Sequence, residues 1–248
     1  MMEKEQLYQT GTLVAVVLIA DFMERRWPGS PVDRRRALSL NILSLLIVIV
    51  VGELWKALLL SGVNALSVGG SALLEGLQRL PGPAKILLGI IFTDFCLYWV
   101  HRAMHRPTLW RTHTFHHSID QVWWLAGSRT SATHLFLFAV PQVMIAYYLL
   151  ALSRHEAGVA FSFGVFVNIW IHTNLWVDIG RLDRILVTPN YHRVHHGARG
   201  LSNNNLGFVF TIWDRMFGTY VDPRAMERGF ALGAVSVKRR LFRMIVGY

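Results

Sequence analysis

One cysteine in 248 residues excludes a good deal of chemistry. Cys96 has no partner in its own chain, so no intrachain disulfide forms, and no iron–sulfur cluster or zinc site can rest on thiolates. Its place inside an apolar stretch reads as a buried, reduced packing residue. Charge is scarce too. Asp, Glu, Lys and Arg make up 16% of the chain, against about a quarter in an ordinary soluble domain. Acids are the scarcer half, 15 against 25 Lys and Arg, which leaves a formal charge of +10. The sequence also lacks internal repeats, low-complexity tracts, a linker-separated soluble domain, and any motif for flavin, nicotinamide or haem.

Apolar sequence is what the chain has in quantity, 53% by count. Five apolar stretches run over residues 8–23, 37–60, 84–100, 134–152 and 157–177. Each is near or above the ~17–25 residues that cross a bilayer as a helix. Glu3, Lys4 and Glu5 precede the first, and no small-residue cleavage site follows it, so it reads as a retained helix. Segment 61–83, rich in Gly, Ser and Leu and ending in Pro81-Gly82-Pro83, reads as a loop dipping into the interface. The expected fold is all-α. It is an integral membrane bundle of four to five transmembrane helices with a histidine-rich helical cap, one membrane domain over residues 1–248.

The basic residues orient this bundle. Arg25, Arg26, Arg34, Arg35 and Arg36 lie in 24–36; Arg102, Arg106, Arg111 and Arg129 lie in 101–133; eleven more follow residue 177. The other exposed segments hold only Lys4, Arg79 and Arg154. An alternating path through five helices puts the rich segments on one side, the cytoplasmic one, with the N-terminus outside. Topology and anionic headgroups thus account for the positive charge. No nucleic acid partner is expected.

Eight of the eleven histidines fall in three clusters: His101-Arg-Ala-Met-His105, His113-Thr-Phe-His116-His117 and His192-Arg-Val-His195-His196. Spacings of three and four place imidazoles on one helix face, where two or three can point at a common ion. Pro107 interrupts the first helix, and a new short helix is expected from about Thr108. Around the third cluster Thr188 suits an N-cap, Pro189 the first helical position and Gly197 the position past the end. Eight neutral imidazoles exceed what one ion takes, so two ions are the simplest count. The bland reading is a set of interfacial histidines touching headgroups. His172 is a ninth ligand candidate; His134 is left open, and His155, in a loop on the opposite side, reads as a surface residue. Asp94, Tyr98, His101 and His105 share one stripe of the third stretch. Asp94, a carboxylate inside a span, reads as an acceptor for a ligand histidine's free N–H, with a helix–helix hydrogen bond that has no metal role as the bland reading.

Three stretches carry a family resemblance. They are Asp94-Phe-Cys-Leu-Tyr98-Trp99-Val-His101-Arg102-Ala-Met-His105, then Trp110 through His116-His117-Ser118, then Thr188-Pro189 through His196, Asn205-Leu-Gly207 and Trp213-Asp214-Arg215-Met-Phe217-Gly218-Thr219. Over roughly residues 85–222 the chain resembles the fatty acid hydroxylase/sterol desaturase superfamily of membrane non-haem di-iron oxygenases. The three-residue gap in the first box is similar to the sterol desaturase branch. Many members carry histidine two residues after an arginine equivalent to Arg129; here Ser131 stands there, with His134 nearby. The resemblance implies two iron ions on the histidines and O2-dependent hydroxylation of a sterol, fatty acyl or related lipid entering from the bilayer. It implies an external electron donor, a ferredoxin or cytochrome b5-like protein with its reductase. A bacterial inner membrane is favoured over the endoplasmic reticulum. Trp99, Trp110, Trp123, Trp124, Trp170 and Trp176 are expected mostly as an interfacial belt. A desaturase or oxidative demethylase on the same site, and a non-enzymatic zinc-binding membrane protein, are the competing readings.

Overall fold

The computed structural model describes residues 2–65, 71–198, 200–237 and 240–248, with side chains for all of these but residues 2–9 and Asn64. The described residues are helical, with two isolated β-bridges, Leu186 with Phe210 and Gly197 with Leu232, and no strands. The long helices are α1 (Met2–Arg26) and α2 (Arg34–Ala65), then, after the short α3 (Ala72–Gln78), α4 (Gly82–Met104). The one-turn α5 (Trp110–His113) precedes α6 (Ala132–Val143) and α7 (Arg154–Ile171). Three short helices, α8 (Pro189–His195), α9 (Ile212–Phe217) and α10 (Leu241–Val246), lie in the C-terminal region.

Among the described residues, three stretches are long and apolar enough to cross a membrane: Arg34–Val63, Gly82–Met104 and Ala132–Leu149. The third is α6 prolonged by a π-helical turn (Met144–Leu149), with Pro141 inside the helix. A proline supplies no N–H to the ladder and its ring crowds the preceding turn, so the local widening follows from the sequence. The first and fifth expected spans correspond to α1 and α7. Neither meets the same standard of length and apolarity among the described residues. Arg154, His155 and Glu156 fill the first turn of α7, where Ser153 and Glu156 form a reciprocal capping box. This helix stops at Ile171, not 177, because the Thr173 amide and hydroxyl both donate to the Trp170 carbonyl.

Segment 61–83 departs from the expected loop. The helix α2 runs on to Ala65, and α3 follows once Ser71 accepts from the Leu74 amide. Glu75 and Arg79 pair one turn apart on it. Residues 66–70 lie outside the described residues.

Two polar clips join the bundle to the histidine region. On α2, buried Asn41 and Ser44 reach loop 128–130: Asn41 Oδ1 accepts from Arg129 Nη2 at 2.8 Å, and Ser44 Oγ accepts from the Thr130 amide at 2.9 Å. On α1, Glu24 is buried. Its Oε1 accepts from the amides of Trp124 (2.7 Å) and Asn174 (2.8 Å), and its Oε2 from Arg34 (2.7 Å). One carboxylate thereby ties α1, the start of α2, the 124 loop and the end of α7. Glu24→Ala strands two amides and a guanidinium, a loss of about 3 kcal/mol. A clear fall in the thermal midpoint of the detergent-solubilised protein is expected; an unchanged midpoint would show that the clip carries no stability.

Candidate metal centre

The first histidine pair ends α4. The inward stripe of this helix is Asp94, Tyr98 and His101, all buried, and His105 is its C-cap. The second cluster is tighter than expected: α5 covers only Trp110–His113, and His116 and His117 sit on a 3-10 turn, His116–Ser118. The third cluster is α8. The Thr188 hydroxyl accepts from the Tyr191 amide, and Pro189 is the first helical residue, as expected. Gly197 follows the C-cap His196, and its role is spatial: a Cβ there would sit 2.8 Å from the Val194 carbonyl. His172 caps the end of α7.

These elements bring nine histidines together, in two groups that could each hold a metal ion. One is His101, His105, His113, His117 and His195; the other is His116, His172, His192 and His196. Within each group one nitrogen per ring lies within 4.8 Å of all the others. His155 is exposed and apart from both groups.

The outer nitrogens show how the rings are aimed. His101 Nδ1 donates to the Leu206 carbonyl at 2.8 Å, His116 Nδ1 to Arg129 at 3.0 Å, His172 Nδ1 to Asn168 at 2.8 Å and His195 Nδ1 to Asn204 at 3.0 Å. A carbonyl can only accept, so each of these Nδ1 atoms carries the proton and each Nε2 turns a lone pair inward. Burial, reinforced by neighbouring imidazoles, holds His113, His116, His117, His192, His195 and His196 well below the usual imidazole pKa. They are therefore neutral, the form that binds metal.

The inner nitrogens fit a cation. His195 Nε2 and both ring nitrogens of His117 are buried with no hydrogen-bond partner among the described residues; the Nδ1 atoms of His192 and His196, on the outer side of their rings, are likewise unpartnered. His101 and His113 face each other Nε2 to Nε2 at 2.9 Å. His192 Nε2 lies 3.0 Å from His172 Nε2 and 3.1 Å from His196 Nε2. One proton on His192 cannot satisfy three mutually facing nitrogens; a cation satisfies them all.

His134 belongs to neither group. Its Nδ1 is 3.2 Å from His113 Nδ1, behind the ring. Ser131 is the N-cap of α6, accepting from the His134 amide and donating to the Thr112 carbonyl. Sequence alone misses Gly127. A Cβ there would meet His172 Nδ1 at 2.7 Å, so the ring packs directly on the backbone. It also misses Phe138, whose ring lies 4.5 Å from that of His134 and 6.2 Å from that of His101.

Asp94 corrects an expectation. Its Oδ1 accepts from the Val209 amide at 2.8 Å, and its Oδ2 from the Phe210 amide (3.0 Å) and Trp213 Nε1 (2.8 Å). The expected hydrogen bond to a ligand histidine is not there, because carbonyls already take the outer N–H groups named above. Asp214 serves the neighbouring turn, accepting from the amides of Leu206 and Gly207 and from the Tyr191 and Thr219 hydroxyls. Leu206 is the residue whose carbonyl receives His101. The tryptophans also differ from a simple belt: Trp123 is buried, and Trp110 packs against His105 and His117. Arg129 is buried and makes no carboxylate hydrogen bond or salt bridge among the described residues. Burial pulls its guanidinium down to about 10, and its charge rests on Asn41 Oδ1 and the Ser118 carbonyl.

Residues 86–219 match the sequence model of the fatty acid hydroxylase family, more than half of the chain. The chain belongs to this family. Among curated relatives, the alkylglycerol monooxygenase of Danio rerio is 37% identical over 138 residues, 54% of this chain and 30% of that protein. The ornithine lipid hydroxylase of Rhizobium tropici is 33% identical over 152 residues, 59% of this chain and 44% of that protein. The Delta(7)-sterol 5(6)-desaturase of Leptosphaeria maculans is 33% identical over 168 residues, 62% of this chain and 43% of that protein. The matches thus span less than half the length of these relatives. No solved structure matches the chain.

Two substitutions separate aiming from ligation. Gly127→Ala pushes on His172 and should lower metal affinity about 10–100-fold, the usual cost of disturbing a ligand's support. Asp94→Ala leaves two amides and an indole N–H without acceptors and should lower stability by about 1–3 kcal/mol per stranded group, with a fall in the thermal midpoint. The folded fraction should keep its metal. Metal analysis and calorimetry on the same samples check both; metal loss from folded Asp94→Ala would restore this carboxylate to the centre.

Proposed function

We propose that the protein is a membrane di-iron oxygenase that hydroxylates a lipid, using O2 and electrons from a separate protein. The observation that carries this reading is the pair of buried, all-histidine groups with fixed, inward lone pairs. His101, His105, His113, His117 and His195 would hold one iron; His116, His172, His192 and His196 would hold the other. When bound, iron would activate O2 for attack on an unactivated C–H bond. The chain's own part is to hold nine histidine rings, eight of them buried away from water, and to offer five to one ion and four to the other. The five histidines of the first group exceed the four ligands of a closed structural zinc site, which favours this reading.

The substrate class follows from the relatives that act on alkylglycerols, ornithine lipids and sterols, and from the apolar helices that lead to the site. Hydroxylation is favoured over desaturation because the first two relatives are named for adding oxygen. The arginine distribution supports a cytoplasmic site in a bacterial inner membrane, with residues 1–248 as one domain. The same basic face suits an acidic donor such as a ferredoxin or a cytochrome b5-like protein, served by its reductase.

Protein purified without oxygen from an iron-replete host should contain two irons per chain and consume O2 when given reductant and lipid. Zinc alone, with no oxygen uptake, is the result that overturns the reading. His195→Ala should lose metal and turnover together, whereas the exposed His155→Ala should keep both. Equal effects would break the assignment of ligands.

A further inference from the structure

The polypeptide after the third histidine cluster returns alongside α4. Asp94 lies seven residues before His101, about 10 Å further along the helix at 1.5 Å per residue, close to the midpoint of Gly82–Met104. It is 1% exposed, and it receives the amides of Val209 and Phe210 and the Trp213 indole. Residues 209–213 therefore sit at the depth of a span midpoint, well past the level of the histidines.

The backbone there is irregular, yet its donors are met from within the protein. The Asn205 amide goes to Thr219, those of Leu206 and Gly207 to Asp214, and those of Val209 and Phe210 to Asp94. The Thr211 amide goes to Ile185, and the Val187 amide to Val209. At membrane depth irregular backbone is tolerated only where its polar groups are met from within the protein, and the two buried carboxylates do this here. The outer surface of the same segments is apolar: Leu182, Ile185, Ile212 and Met216 are 46–62% exposed. This surface continues onto α4, where exposed Phe95 packs on Trp213 and exposed Trp99 on Phe217. Arg181, Arg184 and Arg215 are exposed along it.

We propose that residues 180–187 and 208–217 form a shelf embedded in the lipid leaflet on the histidine side of the membrane. Leu182, Ile185, Ile212 and Met216 meet acyl chains, and the three arginines meet anionic headgroups. Continuity with the lipid-facing side of α4 and the flanking positive charge select lipid as the occupant. The shelf would support the Leu206 carbonyl that aims His101, so membrane contact and ring geometry share one loop. It rests on reading α2 and α4 as membrane helices, not on the identity of the metal.

The single cysteine makes the test direct. In a Cys96→Ala background, full-length chains carrying Ile185→Cys, Met216→Cys, Leu46→Cys or Glu227→Cys are labelled with an environment-sensitive fluorophore. Each is reconstituted into phosphatidylethanolamine–phosphatidylglycerol vesicles containing nitroxide-labelled lipid. All four positions are exposed in the protein, so labelling does not disturb the core. The probes at 185 and 216 should lose fluorescence about as strongly as the one on α2 at 46, with the probe at 227 unaffected. If 46 is quenched while 185 and 216 behave like 227, the shelf is refuted, and its apolar surface is left for a protein partner. If 46 also escapes quenching, the membrane reading of α2, and the shelf with it, is refuted.

Discussion

A neutral imidazole has one N–H and one lone pair on different sides of a rigid ring, and packing nine of them, eight of them buried, in one volume constrains everything around them. Each lone pair aimed inward leaves a donor aimed outward, and a buried donor without an acceptor costs about 1–3 kcal/mol. Four of the rings meet backbone carbonyls, from Leu206, Arg129, Asn168 and Asn204. Those carbonyls come from two loops, 204–206 and the one at Arg129, and from the last turn of α7. The loops consequently have little freedom: moving either of them turns a ring.

The scarcity of acidic residues takes on meaning in this light. The buried carboxylates Glu24, Asp94 and Asp214 each accept two backbone amides along with one or more side-chain donors. None reaches the histidine groups. Acids here close irregular backbone at the joins between helices and the cap, a task usually left to water. Asn205 adds to the same join. It adopts φ 56, and its side chain links the carbonyls of Tyr191 and Val221 with the Val221 amide.

Much of this was legible in the residues. Spacing of three and four put His101, His105, His192, His195 and His196 on helix faces, and Thr188-Pro189 marked the start of α8. Apolar runs located α2 and α4 well. Less visible was anything decided by contact between distant segments. The Asp94 stripe on α4 was readable, but its partners lie 115 or more residues away, so its role was not. Gly127 carries no local signal, because the reason for it is a ring arriving from the end of α7. The expected stretch 134–152 lies close to Ala132–Leu149, whereas the end of α7 was placed too late, because hydropathy does not register the Thr173 bonds to Trp170 that stop the helix. His134 stands behind His113, outside both groups.

The carbonyl of Leu206 has a further consequence, for assembly. It orients His101 across a separation of 105 residues, and the two histidine groups likewise draw on rings from His101 to His196. During synthesis the first two clusters emerge long before α8 and the 204–206 turn exist to complete either group. Long-range closure of this kind is slow, because the entropy of the intervening chain is lost before the contact rewards it. The nascent helices must therefore be in place before the centre can close. An ion entering afterwards would act as a late cross-link between α4, α5, α7 and α8, adding its binding free energy to a bundle already threaded.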